Sequence, residues 1–337
     1  MIQRMCITFC LWAVLFSGCS IEKVGTAKSV YMGQPLPGDT PEVFAPGLVC
    51  TDLYERDVAM TPDNSEMYFG VIAGQLSYAT IACTRRNGST WTKPAVAWFC
   101  REPNVKDLEP HITPDGNRFL FVSNRDPDDH TEACENWDIW VMDRTEQGWG
   151  RPYNAGPNVN TAKGEYFPSV TQNGTLYFTR DEPGGDGIYR SRFIDGAYAP
   201  AERLPEAVNL GRTRYNAFVS PREDYLIVPA VGAEPCFGGT DYYILFRTPD
   251  DRWSKPMNMG PRINSASGLE WSAWVSPDEE YIFFMSVREP AAEHSDTEEL
   301  TMKRLVSRQR SVNNGNPNIF WMRAGIIDSL RSQAVFK

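Results

Sequence analysis

The chain has 337 residues, with 33 Lys+Arg against 43 Asp+Glu and a net charge of −10. A hydrophobic content of 42 % and a charged content of 23 % are those of a globular protein, not a disordered one. The acidic balance excludes a phosphate-binding surface spread over the whole molecule, so nucleic acid is not an expected partner.

The first residues have the order of an export signal. Arg4 gives a positive n-region, Met5 to Phe16 a short apolar run, and Ser17-Gly18 two small residues before Cys19. Phe16-Ser17-Gly18-Cys19 resembles the lipobox of bacterial lipoproteins, with Phe16 where Leu is usual. That resemblance implies cleavage after residue 18, lipidation of Cys19 and attachment to a membrane through the acyl chains. Ser20, by resemblance to enteric lipoproteins, implies the outer membrane of a Gram-negative cell. Beyond the first twenty residues no apolar stretch is long enough to span a bilayer. The expected organisation is a signal at 1–18, a lipidated Cys and Gly/Pro-rich tether at 19–42, and one domain at 43–337.

Eight cysteines are present. Cys6 and Cys10 leave with the signal, and Cys19 takes lipid. Cys50, Cys83, Cys100, Cys134 and Cys236 remain, an odd number without any Cys-x-x-Cys pair. A zinc knuckle or thioredoxin-type motif is therefore unsupported.

The domain repeats itself. A turn recurs as Thr61-Pro62-Asp63-Asn64, Thr113-Pro114-Asp115-Gly116, Thr171-Gln172-Asn173-Gly174, Ser220-Pro221-Arg222-Glu223 and Ser276-Pro277-Asp278-Glu279. Pro presets the first central φ of a tight turn, and Asp, Asn and Gly suit the positions after it. Each turn is followed by a short aromatic or β-branched run, such as Phe119-Leu120-Phe121-Val122, and then by a second, such as Asp138-Ile139-Trp140-Val141. A Trp or Tyr turn with Pro comes next, and most units close on Val-Asn or Ile-Asn, as at Val159-Asn160, Val208-Asn209 and Ile263-Asn264. Four short strands per unit of about fifty residues predict an all-β fold, a β-propeller of five four-stranded blades. Six blades is the alternative. The last unit lacks its final segment, whereas Val43 to Cys50 precedes the first unit unpaired. This N-terminal strand is expected to close the last blade.

The repeated turn, Asp138-Ile139-Trp140, Trp149…Pro152 and Val159-Asn160-Thr161 resemble the TolB-type, WD-repeat-like propeller over residues 43–323. That resemblance implies an envelope protein, periplasmic or lipid-anchored. It implies little about activity, because propellers serve binding, scaffolding and catalysis alike.

Repetition separates architecture from function. The start of each innermost strand reads Glu55, Asp107, Glu165, Arg214 and Glu270. A recurring acid is expected to be architectural, and Arg214, the exception, is a candidate for an anionic ligand. Two residues on, the column reads Asp57, Glu109, Phe167, Asn216 and Ser272. It does not repeat and is the better functional candidate. His111, His130 and His294 are expected at or just below the same face. With the acids they could form a transition-metal site, and Asp126, Asp128, Asp129, Glu132 and Glu135 could hold Ca²⁺. A solvated loop is preferred, and no cofactor is predicted. Long second-to-third-strand loops in units two and five mark that face as the place where something is contacted. The leading reading is an anchored binding module or scaffold for an envelope protein or glycan, without chemistry of its own. The alternative is a glycoside hydrolase with Asp57 as base, Glu109 as stabiliser and Glu270 as acid.

Overall fold

The computed structural model describes residues 31–266, 268–288, 299–312 and 314–336. The signal at 1–18, Cys19 and His294 lie outside these residues. Five antiparallel sheets follow one another along the chain and form the five blades of a β-propeller.

The inner strands are Tyr54–Met60, Asp107–Ile112, Glu165–Val170, the pair Thr213–Arg214 and Phe218–Val219, and Ala273–Val275. The second strands are Glu66–Ala73, Arg118–Arg125, Leu176–Arg180, Tyr225–Val231 and Tyr281–Ser286. The recurring turns join these two. In blade one the Thr61 hydroxyl donates to Asp63 at 2.6 Å, and the Ser65 N–H donates to the same carboxylate at 3.0 Å. Blade four lacks that Asp, and Ser220 donates instead to Asp224 at 2.6 Å. Each turn needs one left-handed residue. Gly116 and Gly174 supply it freely, while Asn64, Glu223 and Glu279 hold φ values of 53°, 59° and 59°.

The blades stack through the aromatic runs. Trp140 and Trp321, on third strands, are fully buried. Phe99, Phe119 and Trp149 pack edge-to-face between blades one and two, with centroids 5.2 and 5.4 Å apart. A single sheet would leave one such face in water, so the ring is what stabilises the blades.

Closure uses the N-terminal segment, as expected, with only two residues in strand conformation. Glu42 and Val43 pair with Trp321 and Phe320 on the third strand of blade five, Asn318–Arg323. Phe44 and Tyr31 then pack on Trp321 at 5.1 and 5.4 Å. Tyr31 also donates to Asp278 in a first-to-second-strand turn. The chain therefore enters the ring on the face opposite the long loops. Among the described residues two α-helices complete the fold: α1, Met302–Gln309, in the blade-five loop, and α2, Ile326–Arg331, after the last strand. No helix among the described residues is long and apolar enough to cross a membrane.

Candidate functional site

Four inner strands carry a residue at positive φ in the same column: Asp57 (52°), Glu109 (57°), Phe167 (48°) and Asn216 (50°). In blades one to three the strand register shifts at this point. These are β-bulges built on non-glycine residues, each costing on the order of 1–3 kcal/mol. Strain repeated at one level of the ring marks that level as special. The fifth member, Ser272, is not strained but joins the same network.

That network centres on Arg56. Its Nε donates to Asp57 at 2.8 Å and its Nη2 to Glu109 at 2.8 Å and to Ser272 Oγ at 3.2 Å. The Ser272 hydroxyl donates to Asp57. Glu109 also accepts from Asn216 Nδ2 at 3.2 Å and from the Phe167 N–H at 2.7 Å. All five polar side chains are buried. All five blades thus meet in one hydrogen-bonded plug, blade three through the Phe167 backbone. Burial, with the nearby Asp57 charge adding and Arg56 opposing, pushes the Glu109 carboxyl up to about 7.

The acidic column one level up forms staples. Asp107 pairs with Arg125 at 2.6 Å, and Arg125 reaches on to the Phe99 carbonyl at 3.0 Å. Glu165 pairs with Arg180 at 2.8 Å, and Arg180 reaches the Val159 carbonyl at 2.7 Å. In blade five Arg288 bonds the Arg262 carbonyl at 2.9 Å and the Ile263 carbonyl, while Glu270 accepts from Ser265 and Ser286. Each arginine ties its blade to a loop of the preceding one. Blade one has no such arginine, and Glu55 bonds Thr51 instead. Arg214 turns back onto its own connection, donating to Asn209 at 3.1 Å and the Arg212 carbonyl at 3.2 Å.

The histidines have separate tasks. His111 is buried and accepts the Val170 N–H at 2.9 Å, bridging two inner strands. Burial holds it down at about 4, so it is neutral. His130 is exposed in the blade-two loop, edge-on to Trp140 at 4.9 Å. No cluster of three His, Cys, Asp or Glu suited to a metal occurs among the described residues.

The Val-Asn endings are clamps. Asn160, Asn209 and Asn264 accept the N–H of Ile139, Ile188 and Tyr242 at 2.9, 2.7 and 2.7 Å, and each donates back to that residue's carbonyl. In blade five the same place is held by Cys50, which accepts the Ile319 N–H at 3.3 Å. In blade one it is held by Cys100, against the Ile81 backbone. No disulfide forms among Cys50, Cys83, Cys100, Cys134 and Cys236.

Above the plug, on the loop-rich face, lies a cavity of about 770 Å³. Arg56 and Glu109 reach it from below, and Tyr54, Trp137, Tyr166 and Trp271 form its aromatic walls. Leu53, Ile72, Leu76 and Leu108 fill the gaps, and Gln75, Gln309 and Asn316 stand at the rim. Of the sequence candidates only Glu109 lines it. Asp57, His111, Asn216, Arg214 and Glu270 do not. The wall residues Arg56, Leu108, Tyr166 and Trp271 all come from the inner-strand column between the acids and the bulges. That column reads Arg56, Leu108, Tyr166, Tyr215 and Trp271, three of them aromatic and none acidic, which is the signal available in the sequence.

No family model matches the chain, and no curated protein matches it. Solved structures do. A glycoside hydrolase superposes with a TM-score of 0.51 at 8 % identity, covering 88 % of this chain and 93 % of that one. TolB from Acinetobacter baumannii gives 0.47 at 15 % identity, covering 80 % of this chain and 54 % of that protein. A putative TolB from Agrobacterium tumefaciens gives 0.47 at 13 %, covering 80 % and 90 %. At these identities the likeness is one of fold.

Proposed function

We propose that this TolB-like five-bladed propeller is an exported binding module, lipid-anchored at Cys19 to the outer membrane, whose ligand seats on the loop-rich face. The observation that carries this reading is the cavity over the axial plug. It is concave, walled by aromatic rings and floored by a few convergent polar groups, as ligand sites are. The charged groups beneath it are bonded to one another and form part of the scaffold.

The chain enters the ring near Asp278, on the opposite face. A tether from Cys19 would therefore hold that face towards its membrane and turn the cavity outward, to an envelope protein or glycan.

The second reading, a glycoside hydrolase, draws on the Glu109 carboxyl, which lines the cavity and sits at about 7. Catalysis of that kind needs a second carboxylate facing the substrate. Asp57 is bonded to Arg56 and Ser272 below the cavity, and Glu270 to Ser265 and Ser286. Asp52, the other carboxylate on the lining, stands exposed at the edge of the cavity, so binding without turnover is favoured.

The test is capture from fractionated envelope glycans and proteins by the full chain and by a Leu76→Asp variant, which puts a charge at the rim. Capture lost in the variant supports the reading. Capture that survives unchanged moves the function off this face. A cleaved product from any glycan hit would favour the hydrolase.

A further inference from the structure

We propose that the cavity takes an uncharged saccharide, stacked on Trp137 and Tyr166 and hydrogen-bonded by the rim amides. This rests on the reading of the loop-rich face as the binding site and names the ligand class for it. A sugar ring is amphipathic. Its C–H faces pack on aromatic rings, and its hydroxyls each need a donor and an acceptor.

The cavity offers both kinds of surface. Trp137 and Tyr166, from blades two and three, are half-buried, with centroids 6.4 Å apart and planes inclined by 43°. They form an open wedge on one side, and Tyr54 and Trp271 stand on other walls. The Gln75 and Gln309 side chains make no hydrogen bond among the described residues and lie at the rim. A primary amide presents two donors and an acceptor, which matches a pair of neighbouring hydroxyls.

Charge narrows the class. The floor holds the Glu109 carboxyl and one guanidinium, which Asp57 also engages from beneath, and Asp52 stands at the edge. An anionic ligand would meet no uncommitted cation there. An aromatic enclosure also suits a cationic ligand. Here that role is filled by the protein, because the Arg56 guanidinium lies 5.9 Å from the centre of the Trp271 ring. A neutral polyol uses the rings and the amides without opposing either charge.

Helix α1 supplies Gln309 and buries none of its own residues against the ring. A helix of eight residues is marginal by itself, so a ligand bridging Gln309 to the blades would also steady it.

The experiment is titration calorimetry on the full chain with neutral gluco-, galacto- and manno-configured oligosaccharides, uronate oligomers and a fatty acid. Trp137→Ala and the exposed-helix variant Gln309→Ala are measured beside it, the second because it leaves the packed blades untouched. A neutral oligosaccharide should bind. Trp137→Ala should weaken it at least tenfold and Gln309→Ala severalfold, and uronates should bind at least tenfold more weakly. Binding of uronates alone, or saccharide binding indifferent to both variants, overturns the proposal. Fatty-acid binding that depends on Trp137, without any saccharide binding, overturns the ligand class and leaves the cavity as the site. No binding of any probe, together with unchanged capture by Leu76→Asp, removes both.

Discussion

Arg56 on blade one donates to Glu109 on blade two at 2.8 Å while holding its own neighbour Asp57 at 2.8 Å. One buried guanidinium thus serves two buried carboxylates from adjacent blades. Removing it would leave both anions in the core of the ring without a cation. Such a loss costs about 3–5 kcal/mol, because the desolvation of the partners remains. Arg56→Met should therefore lower stability by about that much at pH 8 and by less at pH 5, where Glu109 takes up its proton. Adding Glu109→Gln should recover part of the loss at pH 8. Urea unfolding at the two pH values measures this. An equal loss at both would mean that packing, not charge, is what Arg56 contributes.

The clamp residues predict a second set of effects. Asn160 bonds both the N–H and the C=O of Ile139 at 2.9 Å and donates to Asn154 at 2.8 Å. Asn160→Ala strands two buried backbone groups and should cost about 2–3 kcal/mol. Cys50 makes the same contacts to Ile319 with a weaker donor and acceptor. Cys50→Ala should cost less than Asn160→Ala, and Cys50→Asn should be tolerated, because three other blades already use Asn there. Chemical denaturation ranks the three. A Cys50→Asn variant less stable than Cys50→Ala would show that the blades are not equivalent at this position.

These residues also show what the sequence made legible. Blade number, the turns and the N-terminal closure follow from a repeat of short strands that only a ring can bury. Val43 to Cys50 is legible as the closing segment, but the chemistry of Cys50, a sulfur replacing an amide, shows only once its backbone partner Ile319 is seen. The recurring acids read as architectural, and the structure pairs Asp107 and Glu165 with arginines and bonds Glu55 and Glu270 to nearby Thr or Ser hydroxyls. The cavity itself was harder to read. Alternation along a strand sends residues 55 and 57 to one side and residue 56 to the other. Tyr54 and Arg56 follow that alternation into the cavity, but at the blade-two bulge the neighbours Leu108 and Glu109 both line it. Periodicity carries no signal for a bulge whose left-handed position is filled by Asp, Glu, Phe or Asn and not by Gly.

Thiol chemistry should follow the same map. Cys50 and Cys100 are buried, and burial pushes both thiols well above their usual range. Cys236 is exposed. In the folded protein a maleimide should label Cys236 quickly and leave Cys50 and Cys100 untouched until denaturant is added. Peptide mass spectrometry reads the order. Native labelling of Cys50 would place the blade-five clamp outside the stable core.

The dependence of stability on pH contains two opposing contributions. His111 ordinarily titrates near 6.5 and is held down at about 4 by burial. Below about 6.5 the unfolded chain takes up a proton that the folded chain refuses, so this contribution is lost as pH falls from 6.5 to 4. Glu270 runs the other way. Burial raises it from 4.5 to about 7. Between these values the folded chain keeps a proton that the unfolded chain has released, so stability is lost as pH rises through the same interval. Glu109, raised to about 7 by burial, adds to the second trend. Each group is worth about 1.4 kcal/mol per pH unit within its window. Between pH 4.5 and 6.5 His111 offsets only one of the two carboxyls, so the wild-type stability should fall by about 3 kcal/mol as pH rises there. His111→Gln keeps an acceptor for Val170 and removes the acid limb, so its stability should fall by about 3 kcal/mol more than the wild type's as pH rises across that interval. Glu270→Gln keeps the acceptor for Ser265 and Ser286, and should shift the slope in the opposite direction by a similar amount. Unfolding free energies at half-unit steps resolve the two. If His111→Gln leaves the profile unchanged, His111 is protonated in the folded ring, and its bond to Val170 cannot be the strut between the two inner strands.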